Sequence, residues 1–173
     1  MSIFIRVQLK ETIPYCVWIS YCIKKQVFLI QLNCIHFLGS CPANMQEFYN
    51  NCFNFVGKTT SWAEGAAECN AQSWQGMQGH LASIHSKEEN DFVARLANFQ
   101  RVWIGGTDVE SEGNWSWSDG SAMSYTGWCP GNPNNQGGTE HCMDITTCLN
   151  DNSCNRLLKF VCKFTSGNWI LES

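Results

Sequence analysis

Hydrophobic and polar positions change rhythm several times along this chain. After Ser86, the apolar residues Phe92, Val93, Leu96 and Ala97 recur at three- and four-residue spacing, which places them on one face of a helix. Ser86-Lys87-Glu88-Glu89 opens that stretch as a capping box, in which the serine hydroxyl and a glutamate side chain satisfy opposite orphan amides. Glu88 and Glu89 also suit the positive end of the helix dipole. Ser61-Trp62-Ala63-Glu64 shows the same device ahead of an alanine-rich stretch reaching to about Ala71, so two helices are predicted. Beyond Phe99 the period shortens. Arg101 to Gly105 is a largely apolar strand candidate, Trp115-Ser116-Trp117-Ser118 alternates with period two, and Asp119-Gly120 turns the chain. Gly127 to Asn155 is rich in Gly, Asn and Pro and too long for an ordinary connection, which marks it as a functional loop, and four cysteines inside it argue against disorder. Lys159 to Phe164 reads as a closing strand.

The first forty residues have another texture. Two apolar stretches, Ile13 to Ile23 and Val27 to Leu38, are split by Lys24, Lys25 and Gln26. Neither reaches the roughly 18 to 20 uninterrupted residues that a spanning helix needs. The arrangement fits a signal sequence: basic residues through Lys25 lead, Val27 to Leu38 form the apolar region, and small Gly39 and Ser40 precede removal. A signal-anchor and an artefactual extension of the reading frame are the rival readings. The expected organisation is a leader over residues 1–40, a folded domain over 41–164 and a C-terminal tail over 165–173.

Composition narrows the class. With 173 residues, 44% of them hydrophobic, there is room for one core and no second full domain. The net charge is −4 and the 11 Lys and Arg are scattered, so the basic stripe that nucleic-acid binding requires is missing. The 11 cysteines include no C-x-x-C pair and no Cys/His grouping at zinc spacing, which favours disulfides over metal and points to an oxidising compartment, secreted or at a cell surface. An odd total leaves one thiol without an internal partner. His80, His85 and His141 are accompanied by no serine elbow, paired carboxylates or metalloprotease helix, so the chain is not read as an enzyme. Asn114-Trp115-Ser116 matches the glycosylation pattern but abuts a strand expected to be buried.

The run His80-Leu81-Ala82-Ser83-Ile84-His85-Ser86, then Val102-Trp103-Ile104-Gly105-Gly106, then Trp115-Ser116-Trp117-Ser118-Asp119-Gly120, resembles the C-type lectin-like family, in particular its fish single-domain lectins and type II antifreeze branch. The resemblance covers about Cys41 to Lys163. It implies an α+β fold of two helices, two small antiparallel sheets and a long stapled calcium loop. It also implies the disulfides Cys41–Cys52, Cys69–Cys162, Cys129–Cys148 and Cys142–Cys154. Closing a loop the size of Cys69 to Cys162 contributes on the order of 4 to 5 kcal/mol in the chain-entropy model.

The same resemblance implies a calcium site. Calcium takes six to eight oxygens from carboxylates, carbonyls and water. Sugar-binding members of the family carry a Glu-Pro-Asn or Gln-Pro-Asp triplet, a glutamate eight residues after the triplet begins, and a Trp-Asn-Asp. Here those positions hold Asn132-Pro133-Asn134, Glu140 and Leu149-Asn150-Asp151. Asn132, Asn134, Glu140, Asn150 and Asp151 are thus the expected ligands of calcium and of sugar hydroxyls, and Pro133 is expected to be cis. With Asn132 in place of an acid, Glu140 and Asp151 are the only carboxylates, which weakens calcium binding. An auxiliary calcium site is half present: Asp108 and Glu112 keep the family spacing, Asn135 and Glu140 could join them, but His141 stands where an aspartate is expected.

The expected function is therefore calcium-dependent binding of glycans on cell or microbial surfaces by a secreted lectin, in innate surface defence. Asn134 favours mannose-like over galactose-like ligands, since Gln136-Gly137-Gly138 has no aromatic to stack on galactose. A single such site binds on the order of millimolar, about −4 kcal/mol, so useful avidity calls for clustering or homo-oligomers. Ice binding, with Thr139, Thr146 and Thr147 as its only hint, and calcium-independent protein binding are the alternatives.

Overall fold

A computed structural model describes residues 5–9, 17–23, 26–32 and 41–165. The chain divides into two units, Met1–Gly39 and Ser40–Ser173. In the first, β1 (Ile5–Leu9), β2 (Val17–Ile23) and β3 (Gln26–Leu32) pair antiparallel in the order β1-β2-β3. The expected cleavage site at Gly39 and Ser40 lies outside the described residues, as does most of the expected tail. Among the described residues no helix is long and apolar enough to cross a membrane.

The second unit begins with a hairpin of β4 (Gln46–Phe48) and β5 (Asn51–Thr60), followed by α1 (Trp62–Asn70). A short ribbon, β6 (Ser73–Trp74) and β7 (Met77–Leu81), leads to α2 (Lys87–Leu96). Then come β8 (Val102–Thr107), β9 (Ser116–Trp117), β10 (Glu140–Ile145), β11 (Leu149–Ser153) and β12 (Leu158–Phe164). This is the α+β fold that the resemblance implied. The two small sheets are joined, however. Strand β12 pairs antiparallel with β5 along one edge and with β7 on the other, and a short parallel step, Lys159 to Val102 and Phe160 to Trp103, links it to β8 and hence to β10 and β11.

Both helices start where the capping signals place them, but they start differently. At α1 the box is complete: Ser61 accepts from the Glu64 amide and Glu64 accepts from the Ser61 amide. At α2 only half forms. Ser86 Oγ accepts from the Glu89 amide at 3.1 Å, whereas the Glu89 carboxylate reaches past the cap to the His85 amide at 2.7 Å and to Lys163 Nζ at 2.7 Å. Glu89 and Lys163 are 5% and 3% exposed, so the acid expected to close the capping box is one half of a buried ion pair. Its partner lies 74 residues away, beyond the reach of any local pattern.

The core gathers Phe53, Ile84, Val93, Val102, Ile104, Met143, Ile145, Leu149 and Val161. Trp103 is fully buried and donates its indole N–H to the Thr60 carbonyl at 3.0 Å, while Trp62 donates to Ile104 O at 2.8 Å. These bonds satisfy the polar edge of each ring, as burial requires. Gly105 and Gly106 on β8 have a packing reason: a Cβ on the first would meet Leu81 O at 2.6 Å and on the second the Met143 side chain at 2.5 Å.

The four disulfides among the described residues are those implied by the resemblance: Cys41–Cys52, Cys69–Cys162, Cys129–Cys148 and Cys142–Cys154. The segment read as one long loop from Gly127 is only half loop, because its second half is the β10–β11 hairpin. Cys142, Met143, Asp144 and Ile145 are all buried on successive positions, so no alternation announces the strand. The polar Asp144, Asp151 and Asn152 inside it imitate loop composition although each is buried.

Candidate functional site

The hairpin and the Gly131–Glu140 loop face each other, fastened at the base by Cys129–Cys148 and by the Cys129 amide donating to Leu149 O at 2.8 Å. The Asn132–Pro133 peptide bond is cis. Asn132 donates from Nδ2 to Asn150 Oδ1 at 2.5 Å and accepts on Oδ1 from Asn134 Nδ2 at 2.5 Å. Asp151 Oδ2 accepts from the backbone amides of Asn134 at 2.8 Å and Asn135 at 2.6 Å. Four of the five expected ligand residues, Asn132, Asn134, Asn150 and Asp151, are therefore in one hydrogen-bonded cluster. Glu140 is tied to it one step removed: its amide donates to Asn135 Oδ1 at 3.0 Å and its carboxylate accepts from the Gln136 amide at 3.1 Å.

One oxygen in this cluster is unaccounted for. Asp151 is 1% exposed and its Oδ1 has no hydrogen-bond partner. A buried carboxylate oxygen without a donor is costly, because burial strips its water and nothing replaces it. The surrounding donors are hard oxygens: two carboxylates and three side-chain amides. That set suits calcium, and the orphaned Oδ1 is where a cation would repay the missing interaction. To join, the Asn132 and Asn150 oxygens must give up the amide contacts they now make.

Asp144, across the hairpin, has the opposite surroundings. Arg101 Nη1 donates to its two oxygens at 3.0 and 2.9 Å, Asn152 Nδ2 donates at 2.6 Å and Asn150 Nδ2 at 3.3 Å. Burial pushes its carboxyl above the usual carboxylate range, and the Asn152 amide and Arg101 charge only partly offset that. Asn150 is thereby held from behind by Asp144 and presents its oxygen to Asn132. Arg101, Asp144 and Asn152 were not singled out in the sequence; Asp144 carried no signal beyond being an acid near Asn150.

The expected auxiliary residues divide. Asp108 and Glu112 come together, but with His141: Nδ1 lies 3.1 Å from Asp108 Oδ1 and 3.2 Å from Glu112 Oε2. Asn135 Oδ1 instead accepts from the Glu140 amide. Asn114 is exposed, so the burial expected to disfavour its glycosylation pattern is absent at that residue.

A serine and a histidine that the sequence did not pair also meet. His85 Nε2 is 3.0 Å from Ser83 Oγ and 3.3 Å from Ser121 Oγ. Ser83, however, donates its proton to Asp119 at 2.6 Å and accepts from Lys163 Nζ at 3.3 Å. Its hydroxyl hydrogen points away from the imidazole and the residue is 1% exposed, so the arrangement is the reverse of an activated nucleophile. Burial pushes Asp119 up, and hydrogen bonds from Ser121 and Ser83 outweigh it, leaving its carboxyl below the ordinary 3.8. Burial pushes His85 below its ordinary value, with the Lys163 charge acting in the same direction.

Comparison with known proteins places the fold. The lectin C-type domain family matches residues 58–164, more than half of the chain, and the chain belongs to that family. Among curated relatives it is similar to perlucin from Haliotis laevigata, 33% identical with 71% of this chain and 82% of the relative covered. It is also similar to the galactose-specific lectin nattectin from Thalassophryne nattereri, 37% identical with 61% and 67% covered. Among solved structures it resembles the C-type lectin CEL-I from Cucumaria echinata, with a TM-score of 0.68, 30% identity, and 73% of this chain and 99% of that one covered. A calcium-independent type II antifreeze protein is comparably similar, with a TM-score of 0.64, 34% identity, and 71% and 92% covered. The relatives thus include carbohydrate-binding lectins and antifreeze proteins, and the chain, as a member of this family, is not an enzyme.

Proposed function

We propose that this protein is an extracellular lectin that binds glycans through a calcium ion held by Asn132, Asn134, Glu140, Asn150 and Asp151. The observation that carries the reading is the buried, unpartnered Asp151 Oδ1 inside a cluster of side-chain oxygens tied together from two segments. Calcium bound there supplies open coordination positions for two neighbouring sugar hydroxyls. The protein's own amides and carboxylates then donate to and accept from the same hydroxyls, so metal affinity and sugar affinity share one set of atoms. Four disulfides in the domain suit an oxidising, extracellular setting, and the first forty residues suit a signal sequence. Defence at a body surface, against glycans on microbial or host cells, is the role this chemistry serves, with avidity from clustering of copies.

The ligand is mannose-like. Asn134 keeps the amide of the mannose-type triplet, and the exposed Gln136, Gly137 and Gly138 present no aromatic face, although nattectin's name gives it galactose specificity. A glycan array run with and without calcium, on wild type and Asp151→Ala, tests the reading. Wild type should retain mannose-type glycans only with calcium, and the variant should retain none. Equal retention in chelator would replace the proposal with calcium-independent binding, and thermal hysteresis in a cold-stage assay would replace it with ice binding.

A further inference from the structure

The expected auxiliary position has lost the character of a calcium site. The backbone builds it firmly: Thr107 Oγ1 and the Asp108 amide both donate to the His141 carbonyl, at 2.7 and 3.2 Å, which pins the end of β8 against β10. The following turn closes on Asp108, whose Oδ2 accepts from the Gly113 amide at 2.7 Å and whose carbonyl accepts from the Ser111 amide at 2.9 Å. That turn carries Glu112 back over the site. The Asp108 side chain is 1% exposed, His141 30% and Glu112 56%, so the pocket has a buried floor and an open mouth.

Three donor atoms converge there within 4.8 Å of one another. Two ligand bonds of about 2.0 to 2.1 Å at a tetrahedral angle separate their donor atoms by roughly 3.3 to 3.4 Å. The observed separations from His141 Nδ1, 3.1 and 3.2 Å, are within a small relaxation of that. A proton would join only two of the three donor atoms. The ring nitrogen can carry only one hydrogen, and only its contact to Asp108 has hydrogen-bond geometry, which leaves the Glu112 oxygen close to it without a bond. Calcium is a poor tenant, because a hard cation gains little from an imidazole nitrogen and needs more oxygens than two carboxylates supply. Borderline divalent ions accept nitrogen and carboxylate together, and three protein ligands with an open position is a recurrent zinc arrangement.

We propose that Asp108, Glu112 and His141 form a site for a divalent transition-metal ion of the zinc type, separate from the calcium loop and insensitive to calcium. The proposal does not depend on glycan binding. Bound there, the ion ties the Asp108–Asn114 turn to strand β10 and leaves a coordination position open to solvent.

The test is zinc titration of the chelator-treated full chain by calorimetry in excess calcium, with cobalt(II) absorption as a readout of coordination. Wild type should take up zinc despite the calcium. His141→Ala and Glu112→Gln should each lose one zinc equivalent per chain, together with the visible cobalt bands. Glu112 is largely exposed, so its variant folds irrespective of the site. His141→Asp, which exchanges the nitrogen for oxygens, should lose zinc and gain one calcium equivalent. Zinc uptake unchanged in Glu112→Gln or retained in His141→Asp overturns the proposal, as does displacement of zinc from wild type by calcium.

Discussion

Asp144 and Asp151 sit on facing strands of one hairpin, both almost completely buried, and their surroundings are opposite. Asp144 is closed: a guanidinium and two amides fill its lone pairs. Asp151 is open: two backbone amides hold one oxygen and nothing holds the other. Burial costs each of them solvation; Asp144 recovers part of it at both oxygens, Asp151 at one. A single ribbon thus carries one acid enclosed by protein donors and one with a free oxygen. The closed acid holds Asn150 from behind, and under the proposed function the open one is the cation's ligand.

The largest effect should come from emptying the closed site. Asp144→Ala leaves Asn152 and Asn150 without their acceptor and Arg101 without its counter-ion, and should destabilise the domain by about 3 kcal/mol in urea unfolding; the half-exposed Arg101 keeps the loss at the lower end of the range for buried pairs. A wild-type midpoint for this variant would erase the distinction between the two acids. Asp151→Asn should instead change stability in chelator by no more than about 1 kcal/mol, while removing the stabilisation that calcium confers on wild type, about 2.7 kcal/mol at a hundredfold excess over Kd. Melting both proteins with and without calcium decides this. Asn132→Glu supplies the open site with a third carboxylate, and calcium titration should show affinity rising by up to about tenfold, 1.4 kcal/mol.

The smallest effect concerns Asp119, a third acid satisfied by hydroxyls rather than by arginine or metal. Its folded-state value lies below the ordinary 3.8, so the stability it contributes is present above pH 3.8 and is lost as pH falls through the lowered value. Asp119→Asn should therefore differ from wild type near neutrality, and the difference should shrink on acidification below pH 3.8. A constant difference across that window, in unfolding measured by tryptophan fluorescence, would mean that Asp119 acts through packing alone.

Much of the fold was legible because its signals are local. Ser61 and Ser86 mark helix starts through bonds made within three residues, and both helices begin there. The motif around Trp103-Ile104-Gly105-Gly106 located β8, although the strand runs on to Thr107. The β10–β11 hairpin was missed because burial on both faces erases period-two alternation, and because its buried Asp144, Asp151 and Asn152 look like loop residues. The five residues proposed as calcium ligands were legible through the family resemblance, at the positions its motif sets. Their mutual bonds, and the role of Asp144 behind Asn150, were not.

Near neighbours and residue type along the chain are enough for two capped helices, a cysteine-rich domain and an oxygen-rich segment with amides and acids at set intervals. Tertiary structure decided which of those groups are satisfied. Whether Glu89 closes the capping box or is half of an ion pair with Lys163, whether His141 replaces an oxygen or joins two carboxylates, and which aspartate of the hairpin keeps a free oxygen all depend on partners brought in from distant strands. The physical reason is that the cost of burying a polar group is set by what surrounds it in space, and a linear pattern carries only what surrounds it along the chain.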